Sequence, residues 1–403
     1  MALSAKRSTL ALLALAISAF AIGTTEFISV GLLPLIAADL DIPVSLAGLT
    51  VTVYALGVAL GAPVFTSLLS SVPRKRLLLG IIITFILGNT LAAASNGLTV
   101  LLIARVLSAF AHGVFMSIGS TLAADLVPEN RRASAVSIMF SGLTVATVTG
   151  VPLGTFIGQQ LGWRTAFIAI VLVGLIALVA NLLLVPSSGL RGGTYVPVHV
   201  QLRLALNGRL LLALLITALG YGGTFVVFTY LSPLLTEITG FSPSVTAFLL
   251  LLYGVFIAIG NLVGGRAANH NPLRALRIMF AVQAAVLIVL FFTAPSKTAG
   301  LITILAMGLF AFMNVPGLQI HVVNLAERLA PQAVDFASAL NIAAFNAGIA
   351  LGAYIGGIAA AHDALRHTTW IGGLMVALAA LLTGWAIHLE RTAQRNEAVR
   401  HAA

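Results

Sequence analysis

The chain has 403 residues, of which 60% are hydrophobic and only 8% are charged. Soluble domains carry about 25% charged residues, so this chain is too poor in charge to cover a water-facing surface and is predicted to be an integral membrane protein. The formal net charge of +10 does not indicate a nucleic-acid partner, because no basic patch is interleaved with aromatic residues, and the absence of cysteine excludes disulfides and thiol chemistry.

The N-terminal segment allows two interpretations. Lys6-Arg7, the apolar run that follows and Ala19-Phe20-Ala21 mimic the three regions of a cleaved signal peptide. The apolar run continues to Ala38, well past that cleavage site. We therefore expect an uncleaved first membrane span.

Apolar runs between polar breaks predict an all-α membrane protein with twelve transmembrane helices, each of which needs about 20 mainly apolar residues. The one long polar break, residues 186–207, predicts a cytoplasmic linker with a short surface helix at its end. It separates two pseudo-symmetric six-helix bundles, residues 1–185 and residues 208–403, the second with a short cytoplasmic tail. The predicted spans are residues 9–38, 45–70, 77–95, 98–126, 133–158, 163–185, 208–233, 244–266, 275–294, 299–324, 334–361 and 367–389.

The basic residues support this topology through the positive-inside rule. With both termini in the cytoplasm, seventeen of the 21 Lys and Arg residues fall on the cytoplasmic side. Only Arg164, Lys297 and Arg366 fall outside, and Arg105 lies within a span. The asymmetry explains the net charge without an anionic partner.

Spans five and eleven share a pattern in which an Ala-Ser-Ala segment precedes glycines at every fourth position. Small residues at this spacing let helices pack closely in lipid, which explains part of the pattern. Related fifth helices in the two halves also fit a pseudo-symmetric transporter with a site near the membrane midplane. The two sets are Ala133–Ala135 with Gly150, Gly154 and Gly158, and Ala337–Ala339 with Gly348, Gly352 and Gly356.

Three ionisable residues fall at overlapping depths in the predicted spans. Glu26 lies about 15 Å below the outer end of span one, and Arg105 and His112 lie about 10 and about 20 Å into span four. Arg105 and His112 are two helical turns apart and share one face. If spans one and four both line a cavity, Glu26 lies within reach of both residues.

These residues form the predicted proton-coupling site, and each also has a structural interpretation. Glu26 either carries the proton, as its access to water alternates, or forms a fixed ion pair between the two spans. Arg105 cannot release its proton and is expected to act structurally and electrostatically. His112 is either a partner in the proton site or a satisfied packing residue.

Neutral polar and aromatic residues are the candidates for a substrate cavity, because an apolar pocket with a few placed polar groups suits small organic ligands. Hydrogen bonding between helices is the alternative explanation for most of them. The second half has no mid-span Asp or Glu, so it is expected to supply mainly substrate contacts. The candidates are Thr25, Phe27, Tyr54, Phe115, Met116, Phe140, Tyr221, Thr224, Phe228, Tyr253, Asn314, Gln319, Asn341 and Asn346.

Several segments together resemble the major facilitator superfamily, specifically its twelve-helix drug:proton antiporter branch. The resemblance covers essentially the whole chain, and the first helix is similar to that of bacterial arabinose-efflux, sugar-efflux and chloramphenicol-resistance exporters. It implies that Arg105 matches an arginine associated with proton coupling, and that Gly150, Pro152 and Gly154 belong to an antiporter motif. The segments are GTTEF (23–27), GLLPLIAADLDI (31–42), LLIARVLSAFAHGVF (101–115), GVPLG (150–154) and GWRTAF (162–167).

Two loops depart from the family pattern. Ser70 stands where the loop between helices two and three of the family carries Asp, and Asn269-His270 replaces Asp-Arg in the second-half copy. In the family these loops form charge-dipole latches on the cytoplasmic side, so both latches lack their expected acid. The basic residues that remain for a gating or structural role are Arg74, Lys75 and Arg76.

The predicted function is export of small organic molecules, drug-like compounds or sugars, across the bacterial inner membrane by proton antiport with alternating access. No P-loop pattern occurs, so ATP is not expected to drive transport. Uptake or uncoupled facilitation is the alternative within transport. An intramembrane enzyme using His112 or His321 as a base and a sensor without transport are more distant alternatives. We expect a monomer in lipid that binds substrate and protons, with no cofactor, metal ion or nucleic acid.

Overall fold

The fold was analysed on a computed structural model, which describes residues 5–42, 44–47, 49–187, 195–361 and 364–402. These residues form helices and connecting turns, and no strand occurs among them. The α-helices are α1 (Ala5–Asp39), α2 (Val44–Ala47), α3 (Leu49–Leu68), α4 (Arg74–Ala93), α5 (Leu98–Asp125), α6 (Arg132–Leu161), α7 (Trp163–Leu184), α8 (Val198–Ala205), α9 (Gly208–Phe228), α10 (Leu231–Pro233), α11 (Pro243–Ala268), α12 (Pro272–Thr293), α13 (Lys297–Ala311), α14 (Val315–Leu329), α15 (Val334–Ala361) and α16 (Thr368–Ala402).

Twelve segments of the described chain are long and apolar enough to cross a membrane. This confirms the predicted all-α, twelve-helix membrane fold. The predicted surface helix at the end of the linker corresponds to α8, an eight-residue helix. Part of the linker, residues 188–194, lies outside the described residues.

The tenth span is divided, whereas the sequence predicted one continuous helix over residues 299–324. Its segment, Lys297–Leu329, consists of α13 and α14 separated by Phe312, Met313 and Asn314. The break precedes Pro316, whose ring clashes with the preceding turn and whose nitrogen has no hydrogen to donate. Non-helical backbone at membrane depth occurs only where protein buries it or where it lines a cavity.

Polar residues and prolines in the connections determine where several helices begin. Asn207 Oδ1 accepts hydrogen bonds from the backbone of Arg209 and Leu210 at the start of α9. Ser242 and Asn271 cap α11 and α12 in the same way, and each precedes a proline in the first turn. Such caps satisfy N–H groups that have no partner within the helix.

The chain divides into two compact units. Unit 1 comprises Met1–Leu204 with Ala326–Ala343, and unit 2 comprises Ala205–Leu325 with Ala344–Ala403. The start of α15 therefore belongs to unit 1 and the remainder to unit 2. The division into two six-helix bundles on either side of residues 186–207 stays a prediction.

Glycines of spans five and eleven lie at close helix crossings, Gly142 in addition to the predicted glycine rows. In unit 1, a Cβ on Gly142 of α6 would lie 1.9 Å from the Ala16 carbonyl oxygen of α1. In unit 2, a Cβ on Gly352 of α15 would lie 2.2 Å from the Gly222 carbonyl oxygen of α9. Only glycine allows this approach of two backbones, which is how small residues associate helices in lipid.

A polar cluster joins the end of α1 to the start of α7 in unit 1. Arg164 Nη1 contacts Asp39 Oδ2 at 2.6 Å, and Trp163 Nε1 donates to the same oxygen at 3.1 Å. These hydrogen bonds, from Arg164 first and then Trp163, hold the pKa of the Asp39 carboxyl below its usual range. Arg164 also donates to the Ser95 carbonyl, so one guanidinium connects three segments.

Candidate functional site

Arg105 of α5 is a buried cation whose position is fixed by the backbones of two other helices. Its Nη1 donates to the Thr25 carbonyl of α1 at 2.9 Å, and its Nε donates to the Thr50 carbonyl of α3 at 3.2 Å. The guanidinium lies over the Tyr54 ring, 4.0 Å from its centroid. The remaining nitrogen, Nη2, has no hydrogen-bond partner among the described residues. The charge is thus held by carbonyl dipoles and an aromatic face.

His112 lies two turns along the same helix and contacts both a phenol and a carboxylate. Its Nδ1 is 3.1 Å from Tyr54 Oη and 3.9 Å from Glu26 Oε2. The first distance is a hydrogen bond whose direction depends on the imidazole tautomer. The second exceeds hydrogen-bond length and becomes an ion pair only when His112 is protonated.

Glu26 differs from its neighbours in solvent exposure. Its side chain retains 24% of its accessible surface, whereas the His112 side chain retains 5%, and Arg105 is 1% exposed. Among the described residues, Glu26 makes its ion-pair contact with His112 and none with Arg105. A fixed Glu26–Arg105 bridge is therefore absent from this arrangement. The Glu26 carboxyl is thus partly exposed, while the Arg105 guanidinium and the His112 imidazole stay enclosed.

Thr25 connects this site to a fourth helix. Its carbonyl accepts from Arg105, and its hydroxyl donates to Asn89 Oδ1 of α4 at 3.0 Å. Asn89 in turn donates to the Phe85 carbonyl at 2.8 Å. Thr25 is completely buried, so it positions Arg105 rather than facing an open cavity in this state.

The structure thus brings together five residues from the sequence prediction: Glu26, Arg105, His112, Thr25 and Tyr54. Thr50 and Asn89 join them without having been predicted, because Thr50 acts through its backbone carbonyl and Asn89 lies among many neutral polar residues. The roles of these residues in coupling stay a prediction.

The other candidates of unit 1 lie apart from this site in the described contacts. Phe115, Met116 and Phe140 are buried side chains of α5 and α6, and Asn341 of α15 is also buried. Gly150 and Gly154 are buried on α6. The side chains of Phe27 and Pro152 lie outside the described residues.

In unit 2, the candidates concentrate on one face of α9. Tyr221, Thr224 and Phe228 lie three or four residues apart, and Phe228 stacks on Tyr253 with ring centroids 5.6 Å apart. Thr224 Oγ1 accepts a hydrogen bond from Gln283 Nε2 of α12 at 3.2 Å. Gln283 was not predicted, although a glutamine inside a long apolar run is a visible signal.

The remaining candidates of unit 2 lie on the divided span and on α15. Asn314 falls in the break between α13 and α14, and Gln319 is buried on α14. Asn346 is half-buried on α15. Sequence reasoning missed Phe225, Phe312 and Phe345, which contact the α9 aromatic residues; a phenylalanine in an apolar span carries no signal of its own.

A second charged site surrounds Arg74 at the start of α4. Its Nη1 contacts Asp125 Oδ2 at the end of α5 at 2.6 Å, and its Nη2 contacts Asp335 Oδ1 in the first turn of α15 at 2.6 Å. Nε donates to the other oxygen of Asp335 at 3.1 Å, which makes that pair bidentate and therefore strong. Ser70 stands where the resemblance implies an acid, but Arg74 has two carboxylates supplied by other helices.

Further polar contacts reinforce this Arg74 site. Thr121 Oγ1 donates to Asp335 Oδ1 at 2.6 Å, and Ser117 Oγ donates to the Asp335 carbonyl at 2.8 Å. A separate ion pair in the same unit joins Arg132 at the start of α6 to Glu327 at the end of α14 at 2.8 Å. All of these residues belong to unit 1.

The two other basic residues in the first turn of α4 behave differently from Arg74. Lys75 Nζ donates to the Leu182 carbonyl at 3.0 Å, and Arg76 is exposed. Of the three basic residues predicted to act in gating, the structure places only Arg74 in a buried charge network.

Comparison of the sequence with known proteins identifies a family whose members it resembles. The profile of the Major Facilitator Superfamily matches residues 15–333. The chain is 66% identical over 396 residues to YtbD, an MFS-type transporter of Bacillus subtilis, covering 98% of this chain and 100% of the relative. It is 34% identical over 382 residues to a chloramphenicol resistance protein of Streptomyces lividans, covering 91% and 94% of the two chains.

A solved structure is similar in fold at low sequence identity. The fucose:proton symporter of Escherichia coli, FucP, matches with a TM-score of 0.74 and 16% identity, covering 93% of this chain and 98% of its own. This likeness concerns the arrangement of helices alone.

Proposed function

The chain belongs to the major facilitator superfamily, and we propose that this multi-pass membrane transporter exports small organic molecules in exchange for protons. The proposal adds a direction, a coupling ion and a class of substrate to membership of the family. It assumes cytoplasmic termini in a bacterial inner membrane, as the distribution of Lys and Arg predicts.

The observation that carries the proposal is the partly exposed carboxyl of Glu26 beside the enclosed His112, Tyr54 and Arg105. An ionisable group inside a membrane span is costly and indicates a functional site. Glu26 is not neutralised by a permanent ion pair with the nearby guanidinium, so its charge state is free to change. A carboxyl that gains and loses a proton inside the bilayer is what proton exchange requires.

Each neighbour of Glu26 has a distinct part in the proposed exchange. Arg105 stays charged and supplies a fixed positive potential, held in place by the Thr25 and Thr50 carbonyls. His112 and Tyr54 share a hydrogen bond, and the imidazole lies 3.9 Å from the Glu26 carboxyl, so a small side-chain movement would let a neutral imidazole donate a hydrogen bond to the deprotonated carboxylate.

The Arg74 site supports alternating access. A buried arginine held by two carboxylates is stable only while all partners are in place, because separating one partner leaves a buried charge unpaired. We assign this site to closing the predicted cytoplasmic side in one state of the cycle. Asp335 also lies in the first turn of α15, where a negative charge is favourable to the helix dipole.

Export rather than uptake is supported by the chloramphenicol resistance protein of Streptomyces lividans, because resistance to a toxic compound is commonly achieved by removing it. The relation extends over 91% of this chain. A proton gradient suffices as the energy source, since one charge moved across 100 mV supplies about 2.3 kcal/mol.

Cellular accumulation of labelled chloramphenicol tests the proposed direction. Cells expressing the protein should accumulate less label than cells carrying the Glu26→Gln variant, and an uncoupler should abolish the difference. Higher accumulation than in control cells would indicate uptake, and a difference insensitive to the uncoupler would indicate uncoupled facilitation. Mass spectrometry of the medium should recover the compound unaltered; a covalently changed product would indicate an enzyme.

A further inference from the structure

Unit 2 contains a continuous cluster of aromatic side chains built around one face of α9. Tyr221 packs edge-to-face against Phe312 and Phe345, with ring centroids 5.3 and 4.9 Å apart. Phe225 contacts Tyr221 at 4.9 Å and Phe228 at 5.2 Å. The aromatic cluster consists of Tyr221, Phe225, Phe228, Tyr253, Phe312 and Phe345.

Three buried oxygen atoms at this cluster have no hydrogen-bond partner among the described residues. They are the Tyr253 hydroxyl, Gln283 Oε1 and Asn314 Oδ1, and all three residues are 2% exposed or less. A buried polar atom without a partner costs free energy, so such atoms are rare unless a ligand, an ion or water completes them.

Each of these residues is connected to the cluster. Tyr253 belongs to it through its stacking on Phe228. Gln283 donates to Thr224, which lies on the same face of α9 as Tyr221 and Phe228. Asn314 lies two residues after Phe312 in the break that divides the tenth span. Broken spans in transporters place polar groups at membrane depth where a ligand can reach them.

Two rings of the cluster are accessible, and the cation–ring contacts described in this part of the chain lie elsewhere. Phe225 and Phe228 are half-buried, while the other four rings are buried. The described cation–ring contacts involve none of these six residues, and the predicted spans of the second half carry no mid-span Asp or Glu. A charged ligand would therefore lose its hydration without gaining a counter-ion from these spans, and ring faces would return only about 2 kcal/mol of that cost to a cation.

We infer that the aromatic cluster binds the transported molecule, and that this molecule is neutral and aromatic and carries hydrogen-bond donors. Ring stacking on Phe225 and Phe228 supplies the contact area. Gln283 Oε1 and Asn314 Oδ1 are acceptors, so the ligand donates to them, while the Tyr253 hydroxyl serves either role. The inference rests on the proposed function, because it names the substrate class of the transporter.

Binding of chloramphenicol to the purified full-length protein tests this inference by isothermal titration calorimetry in the absence of any proton gradient. Chloramphenicol is neutral and aromatic and has amide and hydroxyl donors. Fucose lacks the ring, and tetraphenylphosphonium is an aromatic cation without donors. Chloramphenicol should bind at least about tenfold more tightly than either. Equal or tighter binding of fucose or of the cation overturns the inference.

Variants locate the binding to the cluster. Phe225→Leu should raise the Kd for chloramphenicol about tenfold through the loss of stacking, and the near-isosteric Tyr253→Phe should raise it about fivefold through the loss of one hydrogen bond. Phe292→Leu is the control, since Phe292 is a 70% exposed residue of α12 in the same unit. Thermal unfolding of each variant checks that it is folded. Equal affinities for the three variants and the wild type overturn the inference.

Failure of this inference is distinguishable from failure of the proposed export. If binding depends on Phe225 and Tyr253 but the protein moves no protons, the inferred substrate class is supported and proton antiport is refuted. Proton-coupled transport of a charged compound or of one without an aromatic ring, together with no chloramphenicol binding, refutes the substrate class but is consistent with antiport.

Discussion

At the scale of single residues, Glu26 has the most specific expected effect. Glu26→Gln preserves size and most hydrogen bonding but cannot release a proton. We expect the variant to fold, to bind substrate and to exchange labelled for unlabelled substrate across proteoliposomes, but not to concentrate substrate against its gradient when a pH gradient is imposed. Full gradient-driven transport by this variant would remove Glu26 from the coupling role.

Arg105 is expected to depend on the geometry of its guanidinium as well as on its charge. Arg105→Lys keeps the charge but cannot bridge the Thr25 and Thr50 carbonyls and cover the Tyr54 ring together. Losing one charged hydrogen bond should lower the transport rate by about tenfold. The control is Arg76→Lys, at an exposed position, which should leave the rate unchanged. Equal rates in both variants would mean that positive charge alone suffices at position 105.

The ionisable members of this site could be found from the sequence, because Glu26, Arg105 and His112 interrupt otherwise apolar spans. Their depths, estimated from helical rise, already placed them near one another. Thr50 could not be found, because it contributes a backbone carbonyl that every residue possesses. Asn89 was indistinguishable in sequence from polar residues that only join helices.

At the scale of helices, the glycines of α6 are expected to determine how closely α1 approaches. Gly142→Ala forces a Cβ to within 1.9 Å of the Ala16 carbonyl oxygen unless the helices separate. Overpacking of this kind should lower the free energy of unfolding by about 1–3 kcal/mol, seen as a lower thermal unfolding midpoint in detergent.

Gly80→Ala is the matched control for Gly142→Ala. Gly80 is also helical, but a Cβ there meets no atom within 4 Å. Alanine favours the helix by about 0.8–1.0 kcal/mol over glycine, so this variant should be as stable as the wild type or slightly more stable. Equal destabilisation by both changes would indicate that close packing of α1 and α6 does not limit stability.

Asp335 allows a test of the Arg74 site. Asp335→Asn weakens the bidentate contact with Arg74, while Asp125 still pairs with it. The ratio of the closed state to the open state should then fall by about tenfold if one charged hydrogen bond is lost. Because the chain has no native cysteine, Ser338→Cys provides a unique label at a fully buried position beside Ser117 and Ser120.

Maleimide should react with this cysteine about tenfold faster in the Asp335→Asn background, since labelling follows the open population. Glu129→Gln, an exposed acid between α5 and α6, is the control and should leave the labelling rate unchanged. Unaltered labelling after Asp335→Asn would show that the Arg74 site does not control access.

Helix number and type were predictable from the lengths of apolar runs, whereas the division of the tenth span was not. Single polar residues such as Asn314 and Gln319 interrupt the apolar run from residue 299 to residue 324 without ending it, and Pro316 is one of several prolines within predicted spans. Kinks and breaks depend on whether neighbouring helices and side chains satisfy the backbone groups that proline frees. The acids that pair with Arg74 could not be predicted either, because they lie far from it in sequence.

At the scale of the whole molecule, the fold followed from composition, since a chain with 8% charged residues has few alternatives to a helical membrane protein. Family membership narrows the activity to transport. The identity of the substrate and the direction of transport depend on a few side chains and on the relative stability of the conformational states. The pattern of apolar runs reveals neither. The distribution of positive charges orients the chain, and that orientation stays a prediction.

Proton movement driven by a substrate gradient is the most direct measurement of the proposed exchange. Purified protein in proteoliposomes containing a pH-sensitive dye would be given an outward chloramphenicol gradient with the membrane potential clamped. The account predicts that substrate leaving the vesicles drives protons inward and acidifies the interior in the wild type, with no pH change in Glu26→Gln. Substrate movement by the wild type without any change in internal pH would contradict it.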